Sequence, residues 1–215
     1  MRIKERHLNH NNLRFIFLLF SLIICLSSLL YASGGYDNGT SIGKGNLGVD
    51  LTWNPFNYWP KGQSYAVLSY GITDKFNIHG YYSSPSKGED NYYTGLFYQF
   101  ISNKFLDLSS AIGIRKYASS NKRHLFAPQI LYSIHSFNKL TIGGSLVTVR
   151  NIKENYKIIG TTIDLALIIP IFRSNKLTRG IYSTDFAIGL FKPTLWKPDN
   201  GFWHPTYSFD FKIKL

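Results

Sequence analysis

Cysteine is almost absent from this chain. Among 215 residues only Cys25 carries a thiol, and it sits inside an apolar run near the N-terminus. A disulfide framework, a thiol nucleophile and a cysteine-based metal site are therefore excluded for the rest of the sequence. Acidic residues are scarce too: 12 Asp and Glu stand against 24 Lys and Arg, for a formal net charge of +12. Glu89 and Glu154 are the sole glutamates after Glu5. Past residue 34 no stretch approaches the ~18 consecutive apolar residues of a membrane-spanning helix, and no apolar pattern repeats with a helical period. No group of Cys or His has metal-ligand spacing, and no glycine-rich loop is placed to cradle a phosphate. His79, His124, His135 and His204 are scattered, and the nearest pairings, His124 with Ser119 or Ser120 and His204 with Asp199, read as loop surface. The chain is accordingly read as a non-enzyme with no catalytic residues, no metal and no cofactor.

The N-terminus is organised differently from the rest. Arg2, Lys4, Arg6 and Arg14 face a single acid, Glu5; an apolar run from Phe15 to Leu30 follows, then Ala32-Ser33-Gly34-Gly35. That order of charged, apolar and small residues is the pattern of a secretory signal, with cleavage near Ala32 or Gly34. A retained anchor is the rival reading, and a lipid anchor at Cys25 would need a small residue where Ile24 stands. The division is thus a signal peptide at 1–32, a short segment at 33–44 and one domain at 45–215. For an exported chain, anionic headgroups or lipopolysaccharide are the expected counter-charges to the excess Lys and Arg, and nucleic acid is not an expected partner.

What the sequence has in abundance is aromatic side chains, 16% of residues including 15 Tyr and 16 Phe, a composition suited to strands and membrane interfaces. A short turn recurs at Thr73-Asp74-Lys75-Phe76, Ser102-Asn103-Lys104-Phe105, Phe137-Asn138-Lys139-Leu140 and Ser174-Asn175-Lys176-Leu177. Asp and Asn favour such turns because their side chains bond nearby backbone. Around each turn apolar residues alternate with polar or small ones, the period of a strand with two unlike faces. Walking outward predicts ten strands: 45–53, 63–71, 75–83, 92–101, 105–116, 124–135, 139–150, 157–169, 180–191 and 204–215. Short turns on one side and long loops on the other point to an all-β, antiparallel, up-and-down transmembrane barrel, with eight or twelve strands as alternatives.

Alternation also assigns faces. In the last strand Tyr207, Phe209, Phe211, Ile213 and Leu215 oppose Ser208, Asp210, Lys212 and Lys214. The 105–116, 157–169 and 180–191 strands likewise set Leu, Ile and Phe against a row of Gly, Ala, Ser and charged residues. The 63–71 strand is ambiguous, because Tyr65/Val67 and Ala66/Leu68/Tyr70 are both credible outward rows. A soluble barrel with its apolar row turned inward has the same alternation, but a charged row rich in Gly, Ala and Ser suits a narrow interior better.

The Tyr-x-Phe-x-Phe-x-Ile-x-Leu ending and the Tyr70-Gly71-Ile72-Thr73-Asp74-Lys75-Phe76 segment resemble small bacterial outer-membrane β-barrel proteins of porin-like type. The resemblance spans nearly the whole of 45–215 in pattern, without a diagnostic motif. It implies a Gram-negative outer-membrane location and recognition of the last strand by the barrel-assembly machinery. Proteins of that type usually end in an aromatic residue, whereas this chain ends in Leu215. No functional residue transfers from the resemblance.

Two candidate sites follow. Asp50, Asp107, Asp164, Asp185 and Asp210 are expected to face the lumen, with Arg115, Lys212, Lys214 and His79 nearby. They either pair and fill a small barrel, or line a narrow hydrated path that biases small solutes or ions. All four tryptophans, Trp53, Trp59, Trp196 and Trp203, map to the loops of the first and last hairpins, which closure makes neighbours. They either belt the membrane interface or form an aromatic platform with Lys61, Lys192 and Lys197. The expected function is a porin-like or structural membrane barrel. A surface receptor or adhesin using the aromatic loops, and a lipid-modifying enzyme, are the alternatives.

Overall fold

The computed structural model describes residues 38–53, 63–85, 89–136, 140–175, 178–193 and 203–215. Ten strands run in chain order: β1 (Asn46–Trp53), β2 (Gln63–Gly71), β3 (Phe76–Pro85), β4 (Asn91–Ser102), β5 (Leu106–Tyr117), β6 (Arg123–His135), β7 (Thr141–Asn151), β8 (Lys157–Arg173), β9 (Gly180–Pro193) and β10 (His204–Lys214). Each pairs antiparallel with its sequence neighbour, and β1 pairs with β10, closing the barrel. This is the all-β, ten-stranded, up-and-down architecture expected from the alternation.

The distribution of polarity is the reverse of a soluble barrel. Ser83, Ser109, Ser133, Ser145, Thr206 and Ser208 are buried in the interior, while Leu68, Leu96, Ile112, Leu146, Leu165 and Phe209 are exposed on the outside. Along β4 buried and exposed residues alternate without interruption over ten residues, as a sheet with two unlike faces requires. The ambiguity in β2 is settled: Tyr65 is buried inside, and Leu68 and Tyr70 are exposed outside.

The start of β1, the end of β10 and the first two short turns lie at one end of the barrel. At the second of these turns Asn103 acts as expected, its Oδ1 accepting from the Phe105 and Leu106 amides at 2.9 and 3.0 Å. At the first, the expectation needs correcting. Thr73 Oγ1 caps the turn by accepting from Phe76 N at 2.9 Å, while Asp74 Oδ1 accepts from Lys44 N at 3.2 Å. Most of the third turn, with Asn138, lies outside the described residues, as do Lys176 and Leu177 of the fourth. Connections at the opposite end are not uniformly long: 118–122 and 152–156 are compact, and the latter turns through Asn155 and Tyr156, both with positive φ (51° and 58°). Lys157 N donates to Glu154 O across them at 3.1 Å, closing, at the end of the five-residue connection, a tight turn whose two central residues are both left-handed.

β8 runs to Arg173, past the expected end at 169. Its register with β9 shifts between Pro170 and Phe172, so the proline occupies an irregularity where a missing N–H is tolerated. A similar shift between Phe126 and Gln129 in the β6–β7 pairing accommodates Pro128.

Candidate functional site: a layered lumen

The inward row builds the lumen in layers. At the short-turn end, Asp50 on β1 pairs in register with Asp210 on β10, and Asp210 pairs in register with Asp185 on β9. Three aspartates thus sit in register on neighbouring strands, whose spacing is roughly 5 Å. At that spacing each adjacent pair repels by ~3 kcal/mol at an effective dielectric of ~20 before compensation. Compensation comes from several sides. Arg173 Nη2 donates to Asp185, the single Ser208 hydroxyl proton is shared between Asp50, at 2.9 Å, and Asp210, and Lys212 lies on the same inward row. Across the lumen Asp107 is buried, accepting from Thr40 Oγ1 at 2.8 Å and facing His135 Nε2 at 3.0 Å. Asp164 is buried and accepts from Ser145 Oγ at 2.6 Å.

A cavity of about 300 Å³ opens here, with Asp50, Asp185, Asp210, Lys212, Arg173 and His135 in its lining; Asp107 and Asp164 lie outside that lining. At ~30 Å³ per molecule it has room for roughly ten waters.

Above the cavity the lumen becomes aromatic. Tyr93 stacks on Tyr81 with centroids 4.9 Å apart and planes 8° apart, lies 5.3 Å from His79 and meets Phe126 edge-on at 5.5 Å. Tyr65 meets Tyr81 edge-on at 5.2 Å. The Tyr93 hydroxyl accepts from Gln129 Nε2 at 2.8 Å and lies 3.2 Å from His79 Nε2. This ring needs glycine beneath it. Gly95 and Gly113 are paired across β4 and β5, and a Cβ on either would come within 2.4 Å of the Tyr93 hydroxyl.

Toward the opposite mouth, buried Arg115 stands over Phe126 at 4.8 Å and Tyr117 at 5.1 Å, with Nη2 3.3 Å from His124 Nδ1. Desolvated guanidinium–ring contacts of this kind are favourable. A concavity lined by Glu89, Tyr117, Lys122, His124, Asn151 and Lys153 opens above it. The Ser120 hydroxyl holds the Glu89 carboxyl below its ordinary range, and Ser119 and Lys122 act in the same direction.

The structure therefore places Asp50, His79, Asp107, Arg115, Asp164, Asp185, Asp210 and Lys212 on the inner wall, but at different heights. Asp50, Asp185, Asp210 and Lys212 share the cavity with His79, whereas Arg115 belongs to the mouth. Lys214, expected near the lumen, is exposed at the barrel's end, where it pairs with Asn46 at the start of β1. His124 is likewise engaged by Arg115 and Tyr117, not by Ser119 or Ser120. Trp59, Trp196 and Asp199, and the side chains of Trp53 and His204, lie outside the described residues. Trp203 is 37% exposed, with Lys192 Nζ 5.7 Å from its ring.

Residues missed from sequence include Arg173, hidden beyond the proline in β8. The aromatic layer was missed as well, because its Tyr residues read equally well as lipid-facing. The least expected lining is Asn38, Thr40 and Ile42, which precede β1 and lie inside the barrel.

No family model and no curated protein matches the chain. Among solved structures it is similar to a KdgM porin, with 8% sequence identity, 79% of this chain and 99% of that chain covered, and a TM-score of 0.48.

Proposed function

We propose that the protein is an outer-membrane β-barrel of porin-like character whose lumen is a narrow hydrated path for small solutes or ions. The observation that carries this reading is the inversion of polarity: apolar side chains exposed around the outside, and a hydroxyl-, amide- and carboxylate-lined interior holding a cavity of about 300 Å³. In water the outer surface would be a very large exposed apolar patch. In a bilayer it is the expected lipid face, and nine of the ten strands, at 9 to 17 residues, reach the ~9–11 needed to cross at a tilt. Export through the N-terminal signal, insertion by the barrel-assembly machinery and contact with lipopolysaccharide belong to the same proposal.

The bore is small because ten strands enclose little space, and the aromatic layer occupies part of it. The path therefore suits ions and small solutes. Five inward aspartates against Arg115, Arg173 and Lys212 leave the described wall short of positive charge, most so at the short-turn end. Rings of carboxylates favour cations in narrow pores.

Single-channel recording from the purified protein in a planar bilayer tests the reading. Folding is established separately by slower gel migration of the unheated than the heated protein. Discrete conductance steps are expected. Silence from folded protein would replace the pore with a filled, structural barrel.

A further inference from the structure

The described residues just before β1, Asn38–Ile42, lie inside the barrel. From Gly45, whose amide donates to Gly71 O at 2.8 Å, the chain turns into the lumen. It then follows the inner wall across β3, β4, β5 and β6. Ser41 Oγ lies 2.9 Å from the Asn77 side-chain amide, and Ser41 N donates to Gln99 Oε1 at 3.2 Å. Thr40 Oγ1 reaches both Asp107 at 2.8 Å and Ser133 Oγ at 3.0 Å. Gly39 is held twice: its N–H donates to Ser133 Oγ at 3.0 Å, and its carbonyl accepts from Ser109 Oγ at 2.5 Å. It also lies flat on the wall. A Cβ at Gly39 would sit 2.7 Å from Asp107 O, 2.7 Å from Tyr132 Cα and 2.9 Å from Leu131 O, all backbone atoms that cannot step aside. The position admits glycine and nothing larger.

We infer that Asn38–Ile42 is a built-in constriction, a pre-barrel segment docked on the β3–β6 wall whose release widens the pore. The inference rests on the pore reading above and assigns its regulation. Asn38, Thr40 and Ile42 form one side of the cavity, and the Asp50–Asp210–Asp185 row with Arg173 and Lys212 forms the other. The segment thus sets the clearance at the charged layer. Its anchors are hydrogen bonds to hydroxyls, amides and Asp107, with Ile42 the lone large apolar side chain. Water can replace each of those bonds, so docking is reversible without disturbing the barrel's own ladder.

The test uses two readouts on the full chain with Cys25→Ser and Asn38→Cys, a cavity-lining position whose side chain bonds within the segment and not to the wall. Docking is read as the rate at which a membrane-impermeant maleimide labels the cysteine, and passage as single-channel conductance in potassium chloride. Gly39→Leu, which the wall cannot accept, is expected to speed labelling many-fold and raise conductance severalfold. In a second Cys25→Ser chain that keeps Asn38, a disulfide between Thr40→Cys and Ser133→Cys is expected to hold the small conductance until a reductant is added. Labelling already fast without Gly39→Leu would overturn docking. Faster labelling with an unchanged, nonzero conductance would overturn the constriction and leave the pore standing. Faster labelling with no conductance in any variant would remove the pore and the constriction with it. Because residue 39 precedes every strand, gel migration of unheated protein monitors folding of each variant independently.

Discussion

Replacing Tyr93 by Ala removes the centre of the aromatic layer, and its cost can be worked out from the packing. The side chain is buried to 6% exposure and contacts Tyr81, His79 and Phe126 with centroids between 4.9 and 5.5 Å. Burying ~150–200 Å² at ~25 cal/mol per Å² gives an upper limit of ~4–5 kcal/mol. A dry core would add a cavity penalty. Here the vacated space adjoins the polar cavity, so water enters, and Gln129 and His79 find new partners there. The expected loss is about 3 kcal/mol, measured by urea titration of protein folded in lipid vesicles with tryptophan emission as the signal. Single-channel conductance should rise in the same variant. Tyr93→Phe separates ring from hydroxyl. It keeps the stacks, loses the bonds to Gln129 and His79, and should cost about 1 kcal/mol with conductance unchanged. A Tyr93→Ala loss below ~1 kcal/mol with unchanged conductance would refute both claims, that the ring packs and that it obstructs.

Three further outcomes are expected. Gly113→Ala sets a Cβ 2.3 Å from the Tyr93 ring and 2.6 Å from Thr94 O. Overpacking of this kind should cost about 1–3 kcal/mol, and part of it should be recovered when Tyr93→Ala is added, as a double-mutant cycle will read. Ile112→Arg puts a charge midway along β5 at a side chain 49% exposed. On a lipid face near the midplane this costs ~2–4 kcal/mol, whereas an exposed site in water would lose under ~0.5 kcal/mol. Asp50→Asn, Asp185→Asn and Asp210→Asn together should move the reversal potential in a potassium chloride gradient toward anions, while urea stability stays level or rises. A fall in stability with no change in reversal potential would make the row a structural network.

Strand number, order and most faces were legible because lipid and lumen impose period two on the same residues. Legibility failed where that period breaks. In Ile168-Ile169-Pro170-Ile171-Phe172 no alternation survives, so β8 reads as ending early, and Arg173 is lost although it pairs with Asp185. In β2 both rows are apolar, since Tyr65 belongs to the inner aromatic layer and Leu68 to the outside. Asp74 was legible as a turn residue but not as the acceptor of Lys44 N. The segment from Asn38 to Ile42 carries no period at all. Its Gly, Thr and Ser read as a loop, and only the backbone clearance at Gly39 reveals what it lies against.

In a soluble domain the interior is where burial supplies stability, so its residues are chosen chiefly to pack. An inverted barrel moves that burden to the outside, where Leu96, Ile112, Leu146 and Phe209 are exposed and, on the proposed reading, meet lipid. Interior positions are then released to other ends, and their chemistry becomes informative. If filling were the sole demand, Ser, Ala and Gly would meet it without electrostatic cost, as they do at Ser133, Ala166 and Gly189. Instead Asp50, Asp210 and Asp185 stand on adjacent strands in register, each repelling the next, with Arg173 and Lys212 needed nearby. Mutually repelling side chains facing a hydrated cavity oppose compaction of the lumen at that level. They also leave a local negative potential along the inner end of the path. A row that costs folding energy and polarises the remaining opening fits conduction better than filling.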